Sequence, residues 1–191
     1  MSLITYDGYT LASDSIAISS GSSLSLNNVQ KIFPVNDLIV GITGSIMFIH
    51  PVLKYLRALA RYQTSDEFPE IPRCIIKELF DWSRPPPNEI EFHLVIVNSK
   101  TRRVGFYSEN YLDIIQEPGP FAQGAWADRA LLDLRSGVDP REVIHRLSKD
   151  SRHLSNPVHY VTIDNIKNKN FPGLPPLSEL PSKNNKVHDG V

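Results

Sequence analysis

Cysteine is almost missing from this 191-residue chain: Cys74 stands alone. A lone thiol forms no internal disulfide, and its place before Ile75-Ile76 in a helical pattern reads as a core filler. Charge imbalance is missing too. Twenty Lys and Arg against 21 Asp and Glu leave a formal net charge of −1, so nothing draws the chain to nucleic acid or an anionic membrane surface. No apolar run approaches the roughly 20 residues of a bilayer span. No basic segment followed by an apolar one opens the chain, and a cytoplasmic protein with no membrane partner is expected. Gly119 and Gly124 are too isolated to make a phosphate-binding loop. The six histidines (His50, His93, His145, His153, His159 and His188) form no cluster at metal-ligand spacing, so neither metal nor other cofactor is expected. His93 and His159 alternate with apolar residues, which predicts hydrogen-bonded structural roles. The basic run Lys100-Thr101-Arg102-Arg103 lies between two strand-like segments and reads as a solvated hairpin loop.

What is present is an ordinary globular composition, 41% hydrophobic and 21% charged, with length for one sizeable core plus a tail. The first half reads as strands. Leu3 to Tyr6 and Tyr9 to Ile18 flank Asp7-Gly8, a strong hairpin signal. A Ser/Gly-rich connection leads to Val29 to Phe33, and Asn36-Asp37 turns the chain into Leu38 to Ile42. After Ser45 the period becomes helical, with Val52, Tyr55, Leu56, Leu59 and Tyr62 on one face. A second helix is expected from Pro72 to Trp82. Phe92 to Asn98 is apolar on both faces, as suits a strand buried between layers. Val104 to Tyr107 and Leu112 to Gln116 follow as its neighbours. A helix from about Ala125 to Ser136 closes at Gly137. Asp139-Pro140-Arg141-Glu142 opens another with an N-cap, a proline at the first helical position and a capping box. Val158 to Ile163 is the last strand.

Two strand blocks interleaved with two helix pairs suit a pair of stacked sheets with helices on both outer faces. The fold class expected is α+β, a four-layer αββα sandwich over residues 1–164. From about Asn165 the composition shifts, and 165–191 is expected to be an extended, Pro-rich C-terminal tail. Phe171, Leu174, Leu177 and Leu180 recur along it regularly enough to suggest an arm laid on a neighbouring subunit.

The chemistry-bearing residues cluster near the start. Ser2 follows Met1, and removal of Met1 would give one residue both a hydroxyl nucleophile and an α-amine base. That amine has a reference pKa of about 7.7 to 8 and works as a base near neutral pH. Asp14, Lys31 and Gly44 then follow at separated intervals, each at the end of an apolar run. The order Leu3-Ile4-Thr5-Tyr6-Asp7-Gly8 to Leu11-Ala12-Ser13-Asp14-Ser15, then Lys31-Ile32-Phe33 and Thr43-Gly44-Ser45, resembles the opening of proteasome β-subunits and HslV. There a Thr-Thr-Ile strand leads through Asp-Gly to Leu-Ala-Ala-Asp-Ser, with a lysine before Ile-Phe and a Ser-Gly-Ser turn. The resemblance implies the same sandwich and an N-terminal-nucleophile hydrolase. Carried over, Ser2 is the nucleophile, Lys31 the cation beside it, Asp14 the anchor of Lys31, Gly44 the oxyanion donor and Asp150 a supporting carboxylate.

The chain also departs from that pattern. Ser2 and Asp14 are only twelve residues apart, so the first hairpin is shorter. Serine replaces the usual threonine. The family's Gly-Ser-Gly becomes Gly124-Ala125-Trp126, losing a supporting serine. Asp150 and Ser155 do not both align with the family's Asp followed by Ser-Gly-Gly. Two readings stay open. One is a homo-oligomeric, ring-forming peptidase or amidase acting on peptide substrates. The other is a catalytically silent structural or assembly protein, such as a bacteriophage virion component, made in the host cytoplasm and using its tail to bind neighbours.

Overall fold

The structure, a computed structural model, describes residues 2–18, 25–26, 28–44, 49–59, 92–108, 111–115, 118–151, 154 and 156–174. Asp7-Gly8 folds the chain back on itself. The Asp7 carboxylate accepts from the Tyr9 N–H (2.8 Å) and the Thr10 N–H (2.7 Å), and Gly8 takes a φ of 99° that side chains resist. Strands β1 (Leu3–Tyr6) and β2 (Thr10–Ser13) pair antiparallel across this turn, Ile4 opposite Ser13 and Tyr6 opposite Leu11. The long strand expected to run to Ile18 is broken after Ser13. There the Asp14 carboxylate accepts from the Ile16 N–H at 3.1 Å, a local bond that competes with the ladder. A short ribbon, β3 (Ala17–Ile18) with β4 (Ser25–Leu26), follows.

The second sheet is built from β5 (Ile32–Val35), β6 (Leu38–Gly44), β7 (Phe92–Asn98), β8 (Val104–Ser108) and β9 (Tyr111–Ile115). They lie side by side in chain order, antiparallel throughout. Asn36 turns β5 into β6 at φ 52°, a conformation asparagine tolerates. The basic run forms the β7–β8 turn: Asn98 Oδ1 accepts from the Lys100 and Thr101 N–H groups, and the Lys100 ammonium meets Asp37 at 2.8 Å in solvent. Helix α1 (Ile49–Leu59) follows β6 as its spacing predicts. The expected helix from Pro72 to Trp82, with Cys74, lies outside the described residues.

The first sheet has the order β10-β1-β2-β11, where β10 is Phe121–Gly124 and β11 is His159–Thr162. Between them lie α2 (Ala127–Arg135) and α3 (Pro140–Asp150). Asp139 caps α3 by accepting from the Arg141 N–H at 2.8 Å. Glu142 does not close the expected box: its carboxylate reaches forward to Arg146 at 2.7 Å, one turn along the exposed face.

Side-chain alternation assigns the layers. Leu3 and Ala12 point outward and meet Ala130 and Leu134 of α2 and Val143, Ile144 and Leu147 of α3. Ile4, Tyr6 and Leu11 point inward and meet Ile32, Ile39, Val95 and Val97 of the other sheet. Leu94 and Ile96 then face α1 through Val52, Leu53 and Leu56. The result is the αββα sandwich the strand and helix order implies. Each large aliphatic side chain buried this way contributes roughly 1.5–3 kcal/mol. The sheets approach closely at Gly41, where an added Cβ would stand 2.8 Å from Ile4 Cδ1.

Composition changes near Asn165, but the chain there is ordered into α4 (Ile163–Asn168). Its N-terminus carries a complete capping box: Thr162 Oγ1 accepts from the Asn165 N–H (3.1 Å) and Asn165 Oδ1 from the Thr162 N–H (2.9 Å). Ile166, Phe171 and Leu174 then pack against the inter-sheet core of the same chain, and the Tyr160 N–H donates to the Gly173 carbonyl at 3.0 Å. Two of the four residues expected on a partner-binding arm are thus used internally. Leu177 and Leu180 lie outside the described residues.

Candidate active site

Asp14 organises the end of the sandwich where the chain begins. It is fully buried, and each carboxylate oxygen has a separate duty. Oδ1 accepts from the Leu3 N–H at 2.8 Å. Oδ2 accepts from the Lys31 ammonium at 2.9 Å and from the Ile16 N–H. The Asp14 N–H in turn donates to the Leu3 carbonyl at 3.3 Å. One side chain thereby ties the start of β1 to the residue that enters β5. Lys31 is 2% exposed. Burial pushes its ammonium below the usual lysine pKa, while the charge and hydrogen bond of Asp14 pull it back up.

Ser2 is half-buried and adjoins this pair through Leu3. Its carbonyl accepts from the Ala125 N–H at 2.8 Å, which extends the Leu3–Gly124 pairing by one residue. A Cβ built on Gly124 would fall on that carbonyl oxygen, and Gly124 has φ 106°. Glycine is required there by both space and conformation. The Lys31 carbonyl accepts from the Ile42 N–H at 2.9 Å, so β6 runs past Lys31 and carries Gly44 to the same end. Gly44 is exposed, with φ 91°. Asp14 and Lys31 are thus joined directly, Ser2 adjoins them through the Leu3 amide, and Gly44 lies two residues past Ile42 on the strand beside Lys31.

Asp150 is placed differently. It is the exposed last residue of α3, on the outer layer. Its neighbour Ser151 accepts from the Trp126 indole N–H at 3.3 Å. Ser155 lies outside the described residues.

Two side chains near the buried pair carried no functional weight in the sequence. His159 stands opposite Ser13 across the β2–β11 ladder, one residue from Asp14. It is buried, with Nε2 3.0 Å from Asn28 Oδ1. Burial, and then the Lys31 charge, hold its imidazole below the usual histidine pKa, although Asp14 and a backbone hydrogen bond with Val29 oppose this. Among the described residues, Ser13 Oγ has no hydrogen-bond partner. The signal in the sequence was a polar residue at an inward strand position, which by itself reads as structural.

Neither a protein-family model nor a curated protein matches the sequence. Solved structures do match. One is Thiobacillus denitrificans BPH in complex with epoxomicin, 19% identical over 84% of this chain and 97% of that one, with a TM-score of 0.55. Another is Anbu, an ancestral β-subunit, from Yersinia bercovieri, 11% identical over 85% of this chain and 81% of that one, with a TM-score of 0.59. At these identities the likeness speaks for the backbone alone. The chain has the αββα fold of proteasome-like N-terminal-nucleophile hydrolases.

Proposed function

We propose that the protein is an N-terminal-nucleophile hydrolase, a peptidase or amidase that uses Ser2 once Met1 is removed. The observation that carries this reading is the buried Asp14 carboxylate, shared between the Leu3 N–H and the Lys31 ammonium. A buried ion pair contributes little to stability by itself, because desolvation offsets the attraction. Its placement against the first strand gives it a chemical use instead. A cation near Ser2 favours the alkoxide form of the hydroxyl and keeps the neighbouring α-amine neutral.

In this reading the α-amine accepts the Ser2 hydroxyl proton as Oγ attacks the substrate carbonyl. The Gly44 N–H donates to the developing oxyanion. The C–N bond of the substrate then breaks, and the ammonium form of the α-amine gives the proton to the departing amine. An acyl ester on Ser2 remains. Water adds to it with the same amine as base, and the carboxylic acid leaves. Peptides are the substrate class, and copies of the chain assemble into a ring in the cytoplasm.

Intact mass and a covalent probe test the reading together. The purified protein is expected to lack the methionine and to gain one β-lactone or epoxyketone adduct, mapped to Ser2. A protein that keeps Met1 and takes up no probe refutes it. A second reading, a silent assembly protein of the virion kind, is favoured by one feature: Ala125 stands where the proteasome pattern has a supporting serine. Full-length mass with no adduct, together with assembly into large particles, supports that alternative.

A further inference from the structure

A cavity of about 350 Å³ opens between the β7–β8 turn and α4. It lies at the Asp37 end of β6, and that seven-residue strand sets it roughly 20 Å from Gly44. The hydrolase reading makes no use of it. Its lining is cationic. Lys100 and Arg102 come from the turn and Lys167 from α4, against one carboxylate, Asp37. Ser99 adds a hydroxyl, and Ile163 and Ile166 form an apolar wall. Two of the cations have acidic neighbours: Lys100 meets Asp37, and Lys167 stands 3.6 Å from Asp164, beyond ordinary hydrogen-bond reach. Arg102 enters no ion pair among the described residues.

The turn that carries Arg102 is braced. The Arg102 N–H donates to the Asn98 carbonyl at 2.8 Å, the Ser99 N–H to the Asp37 carbonyl at 2.9 Å and the Asn98 N–H to the Arg103 carbonyl at 3.0 Å. These bonds, with the two accepted by Asn98 Oδ1, hold Arg102 at φ 58°, a left-handed conformation uncommon for arginine. Asparagine or glycine would fit that backbone with less strain. Strain of this kind persists where the surroundings over-determine it, often at ligand clamps. The guanidinium presents a planar fork that matches phosphate oxygens in pairs. We propose that the cavity binds a small phosphate monoester. Arg102 takes the phosphate, Lys100 and Lys167 flank it as point charges, and Ile163 and Ile166 pack against the organic part. Three cations less one carboxylate leave the lining two positive charges in excess, which a monoester of about −1.5 to −2 at pH 7 matches. The volume falls at the small end of ligand pockets.

The test titrates phenyl phosphate, inorganic phosphate and phenol separately into the full-length protein and follows backbone amide shifts by NMR. Phenyl phosphate is expected to give saturating shifts at Ser99 to Arg102 and at Lys167. It is expected to bind about fivefold tighter than inorganic phosphate, because its ring covers apolar surface. Arg102→Gln removes the fork from an exposed position and is expected to weaken phenyl phosphate about tenfold, the effect of one charge-assisted hydrogen bond. Lys167→Gln is expected to weaken it severalfold. Arg135→Gln, an equal loss of charge on the exposed end of α2, is expected to leave binding unchanged. Shifts that never saturate, or that phenol alone reproduces, overturn the site. So does an equal loss in Arg102→Gln and Arg135→Gln, which would mark diffuse attraction to charge. Inorganic phosphate binding as tightly as phenyl phosphate overturns the assignment of a monoester. The hydrolase reading stands or falls separately, on Ser2 labelling.

Discussion

Replacing Asp14 by asparagine preserves shape and removes the charge that balances Lys31. The amide oxygen can still accept from the Leu3 N–H, but the amide nitrogen then points donors at the Lys31 ammonium and the Ile16 N–H. Lys31 has almost no solvent to turn to. Leaving one member of a buried pair uncompensated costs about 3–5 kcal/mol, a large fraction of a total stability of about 5–15 kcal/mol. For a chain of this size that corresponds to a fall in Tm of roughly 6–20 °C. The converse change, Lys31→Met, is expected to cost less, because the carboxylate keeps two backbone N–H donors. The double variant is expected to be less damaged than the sum of the two singles, by the coupling of a shared contact. Urea unfolding followed by far-UV circular dichroism reads all three, with an unchanged m-value showing that stability alone has moved. An Asp14→Asn loss below about 1 kcal/mol, or strict additivity of the pair, refutes the argument that this carboxylate is what keeps Lys31 charged in the interior.

Further expectations concern neighbouring regions of the site and the frame. The folded His159 imidazole, facing Lys31, Asp14 and Asn28, binds a proton less readily than in the unfolded chain, whose pKa is near 6.5. Stability therefore falls as pH drops through that value, and His159→Gln is expected to flatten the urea-midpoint profile there; an identical slope in the variant would place the effect elsewhere. Gly124→Ala forces a Cβ onto the Ser2 carbonyl and is expected to abolish probe labelling of Ser2, with folding monitored in parallel by Tm. Normal labelling would mean that β10 does not set the position of Ser2. Thr162→Ala removes the capping box of α4 and is expected to cost about 1 kcal/mol in urea. A loss within experimental error would show that α4 is held by Ile166 packing rather than by its cap.

Much of the frame was written in periodicities that only one structure satisfies. Phe92 to Asn98, apolar on both faces, had to lie between two apolar layers, and its alternate residues do face α1 and the other sheet. Asp7-Gly8 and Asp139-Pro140 acted through local chemistry that needs no tertiary context. Beyond the two-residue β4, two elements escaped. Strand β10 is four residues long with Gln123 and Gly124 among them, and its pairing with β1 is a long-range contact that no local pattern announces. Helix α4 is a single short segment whose cap, Thr162, reads equally well as the end of a strand. In the site, the meeting of Asp14 with Lys31 was implied by the resemblance to proteasome β-subunits. The double use of the Asp14 carboxylate was not, because it depends on the Leu3 backbone amide. His159 escaped for a related reason: a polar residue alternating on a strand says nothing about which charge it will face.

The Asp14 carboxylate also fastens one β-layer to the other, since Leu3 belongs to the first sheet and Lys31 leads into the second. A slide of the layers by a single residue step, about 3.3 Å, would sever the Lys31 bond and spare the Leu3 bond, which lies within the first sheet. The start of β1 therefore steadies the carboxylate that bridges the layers: without the Leu3 N–H, Oδ1 loses its partner and the bridge rests on Oδ2 alone.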